Sequence, residues 1–132
     1  MPDLTILIAD DEPTIRTYLR AILRVEGFQL LEAGNGIEAL QKIEQRGDGV
    51  DLLVTDVRMP RMDGVALAHA VTETYPGTPV LYISGYPFSV EEHRLRHANM
   101  CAFLPKPFTR QQLLEAVRNC LESAQQSERA GR

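Results

Sequence analysis

Apolar residues in this chain follow two rhythms. Some form short unbroken runs: Leu4, Ile6, Leu7, Ile8 and Ala9; Leu52, Leu53 and Val54; Val80, Leu81, Tyr82 and Ile83; Ala102, Phe103 and Leu104. Unbroken runs of this length suit strands buried on both faces, as in the middle of a parallel sheet. A further short strand is read over residues 29–33. Between the runs the spacing becomes helical: Ile15, Tyr18, Leu19, Ile22 and Leu23, then Ile37, Leu40 and Ile43, then Leu67, Ala68 and Val71, and finally Leu113, Ala116, Val117, Cys120 and Leu121. Residues 89–98 are weakly helical, with an ill-defined apolar face. Pro13 suits a first helical turn, and Gly27 a stop. Asn35-Gly36 often marks a hairpin, but the helical spacing after it predicts a strand-to-helix loop. Asp63 and Thr109 suit helix caps. Residues 1–122 are expected to form one domain, and residues 123–132 a polar, frayed tail.

Five strands alternating with five helices predict a single doubly wound (βα)5 domain, an α/β fold with a parallel sheet covered on both faces. Right-handed crossovers limit the topologies. In the flavodoxin-like order 2-1-3-4-5, the first and third strands are neighbours at the switch point, where such sheets bind ligands.

Bulk composition narrows the setting. The chain has 132 residues, with 44% hydrophobic and 24% charged residues and a formal net charge of −4. These values suit one globular domain, and the charge argues against a nucleic-acid partner. No apolar run has the length of a membrane span, and residues 1–3 lead into the first strand without a basic leader. A cytoplasmic protein without membrane contact is expected. Cys101 and Cys120 lack metal-ligand spacing and are expected to be reduced packing residues.

The chemistry lies at the strand ends. The first run ends in Asp10-Asp11-Glu12, the third strand in Asp56, the fourth in Ser84 and the fifth in Lys106. A lone Asp at a strand end is ordinarily a cap or a solvated loop residue. The predicted strand order, however, brings Asp10, Asp11 and Asp56 together, with Ser84 and Lys106 on the next two strands. Clustered carboxylates repel, and a divalent cation with a taste for hard oxygen ligands, Mg2+ or Mn2+, relieves that repulsion. Lys106 supplies a fixed positive charge and Ser84 a hydroxyl, both suited to a phosphoryl group. Asp56 can then act as the nucleophile of aspartyl-phosphate chemistry.

With these residues in place, the chain resembles a response-regulator receiver domain of two-component signalling over nearly its whole length. The matching pieces are Asp10-Asp11-Glu12-Pro13, Asp56 with residues 59–64, Ser84-Gly85 and Lys106-Pro107-Phe108. The resemblance supports the 2-1-3-4-5 order. It implies that Asp56 accepts a phosphoryl group from a histidine of a sensor kinase or phosphotransfer protein. It implies further that Asp11, Asp56 and the Arg58 backbone carbonyl bind magnesium, with Asp10 acting through water. Ser84 and Lys106 would hold the phosphoryl group, and the Lys106–Pro107 bond would be cis. Phe103 takes the position of the switch aromatic, without the hydroxyl of the commoner tyrosine. Arg58 and Tyr86 fall at the two positions flanking the phosphoryl group, where side chains set the lifetime of the phosphorylated state. Neither aligns a water well, so slow self-hydrolysis is expected, with Arg58 contacting a phosphoryl oxygen and Tyr86 covering the approach. The implied output is an unidentified downstream protein bound on the face of the fourth helix, fifth strand and fifth helix. A phosphorylation-dependent dimer is compatible with the same scheme.

Two other function classes compete. An aspartyl-phosphate phosphatase of the haloacid-dehalogenase kind needs an acid two residues after the nucleophile, where this chain has Arg58. A flavin-binding flavodoxin needs a Ser/Thr-rich loop after the first strand, where two acids would repel phosphate. The expectation is therefore a switch that assists its own phosphorylation and slow dephosphorylation without turning over an external substrate. His93 and His97 are four apart but lack a third metal ligand, and with His69 they are expected to be solvated. Arg58, Arg61, Arg94 and Arg96 are expected to form a solvated or protein-binding face, and Met59 and Met62 to pack in their loop. No output domain fits the remaining chain, so the reading is a stand-alone receiver or one cut from a larger protein.

Overall fold

A computed structural model describes residues 4–96 and 99–130, with residues 125–130 as backbone only. Met1, Pro2, Asp3, His97 and Ala98, on which parts of the leader, histidine-pair and helix expectations fall, lie outside the described residues.

The elements alternate as the apolar rhythm predicts. They are β1 (Thr5–Ala9), α1 (Pro13–Val25), β2 (Gln29–Ala33), α2 (Gly36–Arg46), β3 (Leu52–Asp56), α3 (Gly64–Thr74), β4 (Val80–Ser84), α4 (Phe88–Leu95), β5 (Met100–Pro105) and α5 (Arg110–Ala130). All strand pairs are parallel, in the order β2-β1-β3-β4-β5. The central strands β1, β3 and β4 are buried along their whole length, which is why their sequences are unbroken apolar runs. Edge strands β2 and β5 are only partly buried.

Alternate strand residues feed two cores. Ile6, Ile8, Val54, Leu81 and Ile83 pack under α1 and α5 with Leu19, Leu23, Leu113 and Val117. Leu7, Ala9, Leu53 and Tyr82 pack under α2, α3 and α4 with Ala39, Ile43, Leu67, Val71 and Leu95. The caps fall where the sequence places them. Asn35 accepts from the Glu38 N–H and Asp63 from the Ala66 N–H, each at 2.9 Å. Thr109 and Gln112 exchange side-chain-to-backbone bonds of 3.1 and 2.8 Å at the head of α5. Gly27 adopts a left-handed φ of 94°, as a helix stop requires. α5 continues to Ala130, through the stretch read as a polar tail. Among the described residues, no helix is long and apolar enough to cross a membrane.

One expectation is corrected. Cys101 and Cys120 are disulfide-bonded, not free packing thiols, with Cα atoms 5.2 Å apart. Cys120 does lie on the apolar face of α5, as its spacing indicates, but that face packs directly over Cys101 on β5. A spacing of 19 residues carries no sign of this, because the pairing arises from the docking of a helix onto a strand.

Two glycines hold the loop after β3 from behind. A Cβ on Gly64 would run into the backbone carbonyl of Asp56, and one on Gly36 into Met62. The Gly36 N–H donates to the Met62 carbonyl at 2.9 Å, and the Gly64 N–H to that of Val57 at 3.0 Å. The starts of α2 and α3 therefore fix residues 57–63, and with them the position of Asp56.

Candidate functional site

Each strand-end group arrives by the same route: a buried apolar strand carries the chain to the carboxyl edge of the sheet, and the first residues beyond it turn their polar side chains into one place. Register pairs Ala9 with Thr55 and Asp56 with Ile83, so Asp10, Asp56 and Ser84 lie side by side. Carboxylate oxygens of Asp10, Asp11 and Asp56 fall within 4.8 Å of one another. Asp10 and Asp56 are buried, and Asp11 is exposed.

Lys106 reaches into this cluster from beyond β5. Its ammonium lies 3.0 Å from Asp56 Oδ2, 3.1 Å from Asp10 Oδ2 and 3.1 Å from Glu12 Oε1. The bonds to Asp56 and Glu12 are aligned hydrogen bonds. Asp10 Oδ2 is close enough to be an ion-pair neighbour, yet it is buried without an aligned donor. The Lys106–Pro107 peptide is cis, as the resemblance implies.

Burial pushes the Asp10 and Asp56 carboxyls above their ordinary value, and their charge neighbours Asp56 and Asp11 add to it. Hydrogen bonds from the Glu12 N–H to Asp10, and from Lys106 and the Arg58 N–H to Asp56, oppose the rise without cancelling it. Burial alone would lower the Lys106 ammonium, but its bond to Asp56 and the Asp10 charge carry it above its usual range. One ammonium thus faces more carboxylate than it can neutralise. The donor set is all hard oxygen, and Asp10 Oδ2 is buried beside an ammonium already shared among three carboxylates; both fit magnesium.

The site opens into a shallow cavity of about 240 Å³ lined by Asp11, Glu12, Asp56, Arg58, Gly85, Tyr86 and Lys106. A larger concavity lies at the opposite end of the sheet, between Leu4, Asp51, Tyr75 and Pro79, away from this cluster.

Ser84 is buried, and the Tyr86 N–H donates to its Oγ at 3.0 Å. Phe103 is half-buried, its ring edge-on to Phe88 with centroids 5.3 Å apart. Arg58 does not turn toward Asp56. Its Nε and a terminal nitrogen donate to Glu91 at 3.1 and 2.9 Å, and its guanidinium stacks 4.5 Å from the exposed Tyr86 ring. Of the other arginines of the expected basic face, Arg94 pairs with Asp63 and Arg96 with Glu92, while Arg61 is exposed.

The sequence reading passed over Glu91. It is fully buried on α4, and a face carrying a glutamate does not read as apolar. A signal was present, since Glu91 stands one helical turn before Leu95, the buried leucine of the same helix.

Comparison with known proteins agrees with this geometry. The response regulator receiver domain profile matches residues 6–118. The sensor kinase CckA of Brucella abortus is 36% identical over 118 residues, which cover 89% of this chain and 12% of that protein. The chain spans about half or less of the length of the curated relatives it matches most strongly. Among solved structures, a CheY-like receiver domain protein from Methanospirillum hungatei superposes with a TM-score of 0.85 at 27% identity, covering 94% of this chain and 98% of that one. The CheX-CheY-BeF3-Mg+2 complex of Borrelia burgdorferi gives 0.77 at 28% identity, with 86% of each chain covered. The profile takes in the sheet from the second residue of β1 onward and the edge where the acids meet, and on that ground the chain belongs to the response regulator receiver domain family.

Proposed function

We propose that the chain is a phosphoacceptor switch that takes a phosphoryl group from a histidine of a sensor kinase or phosphotransfer protein onto Asp56. The observation that carries this reading is the Lys106 ammonium, 3.0 Å from the Asp56 carboxylate and inside a cluster of acids that lacks enough positive charge. In the reaction an Asp56 oxygen attacks phosphorus, the bond from phosphorus to the histidine nitrogen breaks, and its electron pair leaves with the imidazole. Asp11, Asp56 and the Arg58 carbonyl would hold a magnesium ion, with Asp10 acting on it indirectly, and the ion would supply charge neutralisation for the phosphate. Lys106 then exchanges an Asp56 oxygen for a phosphoryl oxygen, and the Ser84 hydroxyl turns to another. Movement of Ser84 leaves room for the Phe103 ring, which changes the face formed by α4, β5 and α5 and its affinity for a downstream protein.

Supporting this reading is the likeness to CheY in the Borrelia burgdorferi CheX-CheY-BeF3-Mg+2 complex. The phosphatase alternative would need an acid at position 58, where Arg58 is bound to Glu91. The test is intact-mass measurement after incubation with magnesium and a small phosphodonor such as acetyl phosphate. One phosphate is expected on the parent protein and none on Asp56→Asn or with a chelator present. Undiminished labelling of Asp56→Asn would place the acceptor elsewhere.

A further inference from the structure

Glu91 has the wrong chemistry for its position. It is a carboxylate with 0% exposure on a helix that packs against the sheet. A buried charge of this kind is stable only when paired and hydrogen-bonded. Arg58 supplies most of that through its two bonds, and Arg94 adds a cation 3.9 Å away. Arg94 is anchored in turn by Asp63, the cap of α3. Glu91 is thus held from two sides, and its Oε2 is directed at the end of β4.

What it meets there is Ser84. The Ser84 hydroxyl lies 3.4 Å from Glu91 Oε2. A serine hydroxyl has a single hydrogen to donate. The Tyr86 N–H occupies one of its lone pairs, which leaves that hydrogen free to face the carboxylate. The same hydrogen is the one that a phosphoryl group on Asp56 would require.

We propose that Glu91 is a positioning residue that competes with the phosphoryl group for the Ser84 hydrogen, so that phosphorylation must take a hydrogen bond away from α4. This rests on the reading of Asp56 as phosphoacceptor and deepens it. At rest the carboxylate keeps Ser84 turned from Asp56. When the phosphoryl group captures the hydroxyl, Glu91 loses an acceptor contact, and α4 is free to shift on the Arg58 and Arg94 pairs. The change at Asp56 reaches α4 through a polar contact as well as through the space beside Phe103. The competition weakens binding of the phosphoryl group, because a charged acceptor holds a hydroxyl more strongly than a neutral one.

The test uses beryllofluoride with magnesium as the phosphoryl mimic, titrated by NMR into the parent protein, Glu91→Gln, Ser84→Ala and the double variant. Glu91→Gln keeps the shape and removes the charge. It is expected to bind beryllofluoride roughly three- to ten-fold more tightly, as for a contact worth about 1 kcal/mol, and to show smaller shifts in α4 on saturation. In the Ser84→Ala background the same substitution is expected to change affinity less than two-fold, since no hydroxyl remains to compete for. An unchanged affinity in Glu91→Gln, or equal tightening with and without Ser84, overturns the proposal. A measurement on the parent protein does not depend on the variants folding: the Glu91 carboxylate carbon resonance should move on saturation with beryllofluoride. A resonance that stays in place while beryllofluoride binds also overturns the proposal. A parent protein that binds no beryllofluoride at all refutes the phosphoacceptor reading instead, so the two failures are distinguishable.

Discussion

Asp10 is buried beside a second carboxylate, with its Oδ2 lacking an aligned donor. Folding raises the carboxyl pKa values of both Asp10 and Asp56, chiefly by burial. The native state therefore holds these protons more tightly than the unfolded chain. The pair's contribution to stability is fully present below the ordinary aspartate value of 3.8, and it is lost as pH rises through the higher folded values. Asp10→Asn, measured without metal, should gain roughly 1 kcal/mol at pH 7, and the gain should fade as pH falls toward 4. Denaturant melts at the two pH values check both sign and window. Millimolar magnesium should stabilise the parent protein at pH 7 by mass action and do so less at pH 4, where the raised affinity of Asp10 and Asp56 for protons competes with the metal. For Arg58 and Tyr86 the expected effect is on a different quantity, the lifetime of the proposed phosphorylated state. Replacing the stacked pair by Arg58→Asn/Tyr86→Glu opens the cavity and supplies groups able to orient water, so decay should quicken by on the order of ten-fold or more. An unchanged decay curve in magnesium buffer would show that these side chains do not set it. The acids, Ser84 and Lys106 were legible because each follows an unbroken apolar run, and such runs end at one edge of a parallel sheet. Where Arg58 points was not legible, because its partner is a buried glutamate 33 residues away.

At the scale of elements, the sharpest demand falls on the start of α3. Gly64→Ala puts a methyl group against the Asp56 carbonyl, so either the helix or the loop after β3 must move. Loss of roughly 1–3 kcal/mol is expected, the cost of overpacking, together with weaker magnesium binding. A variant with unchanged stability and unchanged magnesium affinity would show that the contact relaxes freely. Strand and helix positions were readable from period alone, since β1, β3 and β4 are buried on both faces and α1, α2, α3 and α5 carry apolar stripes. α4 was the weak element for a physical reason. Its inward face is built from Glu91 and Leu95, so hydrophobic period gives half the signal and ion pairing the other half.

At the scale of the molecule, the Cys101–Cys120 bond ties α5 to the outer strand of the sheet. It closes a loop of 19 residues, and loops of this size contribute about 3 kcal/mol by restricting the unfolded chain. Reduction should lower the melting midpoint by roughly 10 °C for a domain of this length. A scan with and without reductant checks it, and the Cys120→Ser variant should be insensitive to reductant. The glycine contacts at Gly36 and Gly64 have a consequence for how this protein can vary over generations. They brace residues 57–63 from behind through close contacts with the Asp56 carbonyl and with Met62, which leave no room for a side chain at either glycine. On the open side stand Arg58, Arg61 and Tyr86, whose side chains face the cavity or solvent. Substitutions at Arg61 and Tyr86 can therefore alter the surface beside the cavity while the contacts behind residues 57–63 stay in place. A chain built this way can change the outline it presents without disturbing the place where its acids meet.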